Sequence, residues 1–134
     1  MRPLVLDTNI VLDLFVFKDE AARALQGDLA NGTVQWLATP AMREELVCVL
    51  AYEQIGGRMG AASISAEQVL AGFDQYARVV DAAPPAKVVC RDADDQKFID
   101  LAIAHSATLV SKDKQVLALG RKLALLGITV TRSP

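Results

Sequence analysis

Histidine occurs once and cysteine twice in the 134 residues, and this scarcity removes several chemistries at the outset. Cys48 and Cys90 lie in apolar segments, without CxxC spacing and with no histidine nearby, so a zinc site is not expected. Both are read as buried, reduced thiols of a cytoplasmic protein. Aromatic residues amount to 5%, too few for a platform on which unpaired bases stack, and Trp36 and Phe98 are assigned to the core. Long apolar runs are also missing. Val47–Ala51 is far shorter than the roughly 20 residues a membrane span needs. The opening Met1–Arg2–Pro3–Leu4–Val5–Leu6–Asp7 meets an acid before any long apolar stretch, so no signal peptide is expected. A basic excess is lacking too: 14 basic and 16 acidic residues leave a net charge of −2. That balance disfavours a protein gripping long runs of phosphate, unless several of the carboxylates hold cations. No GxGxxG or GxxxxGK[ST] element supports dinucleotide or nucleotide triphosphate binding.

What the chain does have is apolar material in short, well-punctuated segments. Hydrophobic residues make up 52% and charged residues 22%, the proportions of a packed domain, and residues 1–134 are read as one such domain. Arg2–Asp7 has the uninterrupted apolar character of a strand covered on both faces. Asn9 to about Gly32 reads as helix in two pieces, broken near Lys18–Asp19, and Val34–Ala38 as a second strand. Thr39–Pro40 then caps and opens a helix expected to reach Gln54 and stop before Gly56–Gly57. Ser65 to Tyr76 is another helix. Val79–Val80 and Val88–Cys90 read as short extended segments around Pro84–Pro85. Asp94–Ser106 is helical, Thr108–Ser111 a strand, Lys112 to Leu126 helical with an interruption at Gly120, and Ile128–Thr131 a last strand. Alternation of this kind predicts an α/β domain with a mainly parallel central sheet and helices on both faces.

In such sheets the functional crevice lies beyond the carboxyl ends of the strands. Asp7 closes the first strand, and Asp113 follows Thr108–Ser111 and opens the next helix; either is a ligand or simply a helix cap. Helical periodicity places Phe98, Ile99, Ala102, Ile103 and Ser106 on one side, with Asp95 in line with them. A carboxylate there is a buried cap or a ligand, because burying it without a partner is costly. The same geometry separates Glu44, directed to solvent, from Glu45, which borders the side made by Met42, Leu46, Val49 and Glu53. Glu45 either looks into a crevice or pairs with Arg43 or Lys97. Four acids drawn from separate segments suit a hard divalent cation such as Mg²⁺, which takes oxygen ligands.

At these residues a family resemblance is visible. Leu6–Asp7–Thr8–Asn9–Ile10 resembles the opening motif of PIN domains, and Arg43–Leu50 their central acidic helix, whose functional glutamate falls on Glu45. Cys90–Ala102 is similar to the third motif of a bacterial subgroup described as toxin components, with the functional aspartate carried to Asp95. Ser111–Lys112–Asp113–Lys114 resembles the last motif. The likeness runs from Leu4 to about Leu119. It implies a three-layer α/β/α sandwich, Mg²⁺- or Mn²⁺-dependent cleavage of RNA, a homodimer, and a partner antitoxin of the kind that restrains such toxins. It also implies a metal-binding quartet of Asp7, Glu45, Asp95 and Asp113, with Thr8, Asn9 and Ser111 orienting ligands or water.

Arg43, Arg91, Lys97, Lys112 and Lys114 lie near these acids in sequence and are candidates for RNA phosphate contacts, or ordinary surface charges. His105 ends a helix, where a cation suits the dipole, and is read as packed or capping. A phosphatase with an aspartate nucleophile would need a second acid two positions after Asp7, where Asn9 stands. A catalytically idle module that binds RNA or protein is the remaining alternative, although all four acids are present.

Overall fold

The computed structural model describes residues Met1–Pro134. Five parallel strands form one sheet in the order β3-β2-β1-β4-β5. They are β1 (Arg2–Leu6), β2 (Val34–Ala38), β3 (Ala77–Val79), β4 (Thr108–Val110) and β5 (Val130–Thr131). Between them lie α1 (Thr8–Phe15), α2 (Arg23–Asn31), α3 (Pro40–Leu50), α4 (Glu53–Ala61), α5 (Ala66–Tyr76), α6 (Gln96–His105), α7 (Lys114–Leu117) and α8 (Gly120–Ala124). Short 3₁₀ turns at Glu20–Ala22 and Ala93–Asp95 precede α2 and α6. No helix is long and apolar enough to cross a membrane.

Successive residues of a strand face opposite sides of the sheet. Leu4, Val5 and Leu6 are all buried, as are Trp36, Leu37 and Ala38, and Leu109 and Val110. Both faces are therefore covered, and the expected α/β/α sandwich is what forms. Trp36 anchors one layer, stacked with Phe15 at 6.2 Å and edge-on to Phe73 at 5.0 Å between ring centroids. Gly72 of α5 makes this packing possible, since a Cβ there would stand 2.7 Å from the Phe15 ring.

The order of the strands fixes where a site can be. From β1 the chain builds outward through β2 and β3, then returns to the other flank for β4 and β5. The direction of winding changes between β1 and β4, the place where open parallel sheets hold their ligands, beyond the carboxyl ends of the strands. Leu6 pairs with Val110 in register, so the next residues, Asp7 and Ser111, emerge side by side.

Several boundaries differ from expectation. The helix after β2 ends at Leu50, and α4 runs straight through Gly56 and Gly57, which sit in open space and do not break it. Val88–Cys90 joins no strand. Gln96 satisfies its backbone instead: the amide of Cys90 donates to Gln96 Oε1 at 2.7 Å, and Gln96 Nε2 donates to the Val88 carbonyl at 2.9 Å. The helix expected from Asp94 begins as a 3₁₀ turn and becomes α-helical only at Gln96. Ser106, placed on its apolar side by periodicity, is exposed and left-handed at φ 51°. Cys48 is also exposed, because it lies about 200° around α3 from the buried Leu46. Cys90 is buried as expected.

Candidate metal centre

Asp7 is the residue at which β1 becomes α1. Its backbone amide still pairs with the sheet, donating to the Val110 carbonyl at 3.0 Å, while its side chain caps the helix by accepting from the Asn9 amide at 3.3 Å. The other carboxylate oxygen accepts from Ser111 Oγ at 2.7 Å. Asp7 is only 5% exposed. Burial pushes its pKa upward, the Ser111 and Asn9 bonds pull it back, and the charges of Asp113 and Glu45 raise it further.

Ser111 is fully buried and serves a second neighbour, accepting from the Asp113 amide at 3.0 Å. This turn directs Asp113 to the start of α7, where its Oδ1 accepts from the Gln115 amide at 2.7 Å. Asp113 is thus a cap and a crevice residue together.

Across from it stands the 3₁₀ turn before α6. Asp92 caps that turn, accepting from the Asp94 amide at 3.0 Å. Asp95 occupies the position before α6 and makes no capping bond. Its residue is 9% exposed, and its Oδ2 is buried with no hydrogen-bond partner. An unpartnered buried carboxylate oxygen is expensive in a folded protein. Burial is the main reason that Asp95 is raised to a pKa of about 7; the charges of Asp7, Asp113, Asp92 and Glu45 add to it. The same field reaches Cys90, whose thiol is pushed up by burial and by Asp95, Asp113 and Asp92.

Carboxylate oxygens of Asp92, Asp95 and Asp113 lie within 4.8 Å of one another, a span that one cation can bridge. Of the four acids expected at the site, Asp95 and Asp113 belong to this group, and Asp7 adjoins it through Ser111 and through mutual repulsion. Glu45, half-buried on α3, is engaged already: Lys97 Nζ donates to its Oε1 at 2.7 Å and Thr8 Oγ1 donates to its Oε2. Glu44 is exposed, as its helical position requires.

The crowding of Asp92, Asp94 and Asp95 in sequence leaves open which of them share one role; the oxygen cluster takes in Asp92 with Asp95 and omits Asp94. Of the basic candidates, Arg43 is committed to a two-pronged pair with Asp74 at 2.8 and 2.9 Å, and Lys112 is paired with Asp13. Arg91 and Lys114 are exposed, and His105 is exposed at the end of α6.

The donors are oxygens only, the set preferred by hard divalent cations, and Asp95 Oδ2 is the atom most in need of one. Residues 3–115 match the family model described as PIN domain. The chain belongs to the PIN-domain family. Among solved structures, it is similar to VapBC2 from Rickettsia felis bound to a DNA fragment from their promoter, with a TM-score of 0.63. The two chains are 15% identical over 96% of each, so this likeness concerns the fold. No curated protein matches the chain.

Proposed function

We propose that this PIN domain is a divalent-metal-dependent endoribonuclease and, in its cell, the cytoplasmic toxin of a type II toxin–antitoxin pair. The observation that carries this reading is the orphaned Oδ2 of Asp95 beside the oxygens of Asp92 and Asp113. Residues 1–134 are taken as a single nuclease domain. Asp7, Asp95 and Asp113 are assigned as metal ligands with Asp92 added to them, and Glu45 as the acid on the α3 side of the crevice. Thr8, Asn9 and Ser111 act on those acids and not on substrate: Ser111 fixes Asp7, the Asn9 amide caps it, and Thr8 holds Glu45.

Mg²⁺ or Mn²⁺, when bound, lowers the pKa of a water and offsets the charge that builds on a phosphodiester under attack. The chain's own residues supply a fixed, negatively charged cradle that is uncomfortable without a cation. Arg91 and Lys114 border this cradle in sequence and are the side chains proposed to meet RNA phosphates, while Lys97 is engaged by Glu45. The partner antitoxin and a homodimer are carried over from the family resemblance, and the VapBC2 likeness in fold supports the former.

The test is incubation of the purified protein with a mixed RNA pool, with Mn²⁺ or with chelator, beside Asp7→Asn. Cleavage that needs the metal and is absent in Asp7→Asn is expected, with no phosphate released from small monoesters. Intact RNA at millimolar Mn²⁺ would overturn the reading.

A further inference from the structure

Asp13 is the one strongly buried acid outside the crevice, 6% exposed, and the reading above gives it no task. It lies on α1, six residues after Asp7 and so about 120° away around the helix. Its carboxylate meets the ammonium of Lys112. Ser111 and Lys112 are therefore each tied to an acid at or on α1, Ser111 to Asp7 and Lys112 to Asp13. The next residue is Asp113, whose carboxylate is one of the three clustered oxygens. Repulsion from Asp7, Asp92 and Asp95 acts to drive that carboxylate outward when no cation is present.

We infer that the Asp13–Lys112 pair is a positioning device: it anchors the Ser111–Asp113 segment to α1 and so holds Asp113 in place for a divalent cation. A burial of 91% for the Asp13 side chain against 59% for Lys112 shows which partner the fold encloses, since their side chains are 9% and 41% exposed. An acid enclosed to that extent keeps its cation close, because losing it would strand a buried charge. The inference rests on the reading of the crevice as a metal centre, and it assigns Lys112 to positioning in place of the RNA contact considered from sequence.

The sign of the effect separates positioning from simple electrostatics. Removing a positive charge beside a cation site should tighten cation binding by Coulomb attraction alone. Positioning requires the opposite. Lys112→Met is expected to weaken Mn²⁺ binding, measured by electron paramagnetic resonance, by about tenfold, and Lys112→Arg to restore it. Asp13→Asn should match Lys112→Met, and the double variant should be no worse than either single change. In the metal-free protein, exchange of the Asp113 amide, which donates to Ser111 Oγ, should accelerate in Lys112→Met.

Mn²⁺ binding by Lys112→Met that equals or exceeds wild type, or an unchanged Asp113 exchange rate, would overturn the inference. Should wild type itself bind no Mn²⁺, the metal reading fails, and amide exchange alone decides whether the pair positions the segment. Because Lys112 is partly exposed, its variants test the idea even if Asp13→Asn fails to fold.

Discussion

Ser111 Oγ donates a 2.7 Å hydrogen bond to Asp7 Oδ2 across 104 positions of sequence, joining the two strand ends between which the sheet reverses its winding. The bond draws a buried carboxylate toward ionisation while burial and the neighbouring acids oppose it. With the Asn9 amide on its other oxygen, Asp7 is held in place by two hydrogen bonds and destabilised by its surroundings, the condition expected of a group that completes itself with a cation.

Replacing Asp7 by asparagine keeps the capping oxygen for the Asn9 amide and removes one charge from the cluster. RNA cleavage should fall by at least about 100-fold, since a lost ligand removes several kcal/mol of charge stabilisation. The melting temperature of the metal-free protein should stay level or rise. A fall of many degrees would show Asp7 to be a structural cap first.

Asp95 links stability to pH in a direction unusual for a carboxylate. Its folded pKa of about 7 lies above the ordinary 3.8, so between those values the folded chain holds a proton that the unfolded chain has lost. Stability of the metal-free protein therefore decreases as pH rises through this window and levels off above it. Buried Asp7, also raised, acts in the same direction. Asp74 acts the other way: its hydrogen bond to Arg43 lowers its pKa, so stability is lost only at still lower pH. Subtracting the melting profile of Asp95→Asn from that of wild type isolates the Asp95 effect. The difference should grow from about pH 4 to 7 in favour of the variant; a difference that does not vary with pH would contradict the assignment.

Cation binding should relieve this repulsion. At 100 times its dissociation constant, a metal that binds only the folded state contributes about 2.7 kcal/mol, which for a domain of this size raises the melting temperature by on the order of 10 °C. Thermal unfolding with and without millimolar Mn²⁺ measures it, and no shift would count against the site.

Asp92 and Asp94 make a controlled pair, both exposed and two residues apart, with only Asp92 in the oxygen cluster. Asp92→Asn should weaken Mn²⁺ binding by about tenfold, whereas Asp94→Asn should change it by less than about twofold, as loss of a solvated charge does. Titration calorimetry distinguishes them. Equal effects would mean that only the total charge of the loop matters.

Much of this arrangement was legible in the sequence. Uninterrupted apolar strands gave a doubly covered sheet, and helical phase separated Glu45 from Glu44 and aligned Asp95 with the buried Phe98 and Ile99. Asp92 was legible only as one of three crowded acids, because it caps the 3₁₀ turn from outside and no helical phase separates it from Asp94. The Asp13–Lys112 pair was equally hidden: it depends on how α1 packs beside the end of β4, and no local pattern encodes it. Gly56 and Gly57 misled in the other direction, since solvent-exposed glycines lower helix propensity without forbidding a helix.

Anomalous diffraction from crystals equilibrated with Mn²⁺ addresses the crevice most directly. A manganese peak within coordination distance of Asp92, Asp95 and Asp113, with Asp95 Oδ2 among its ligands, is the predicted result. Crystals grown at saturating Mn²⁺ with no peak among those three carboxylates would contradict it.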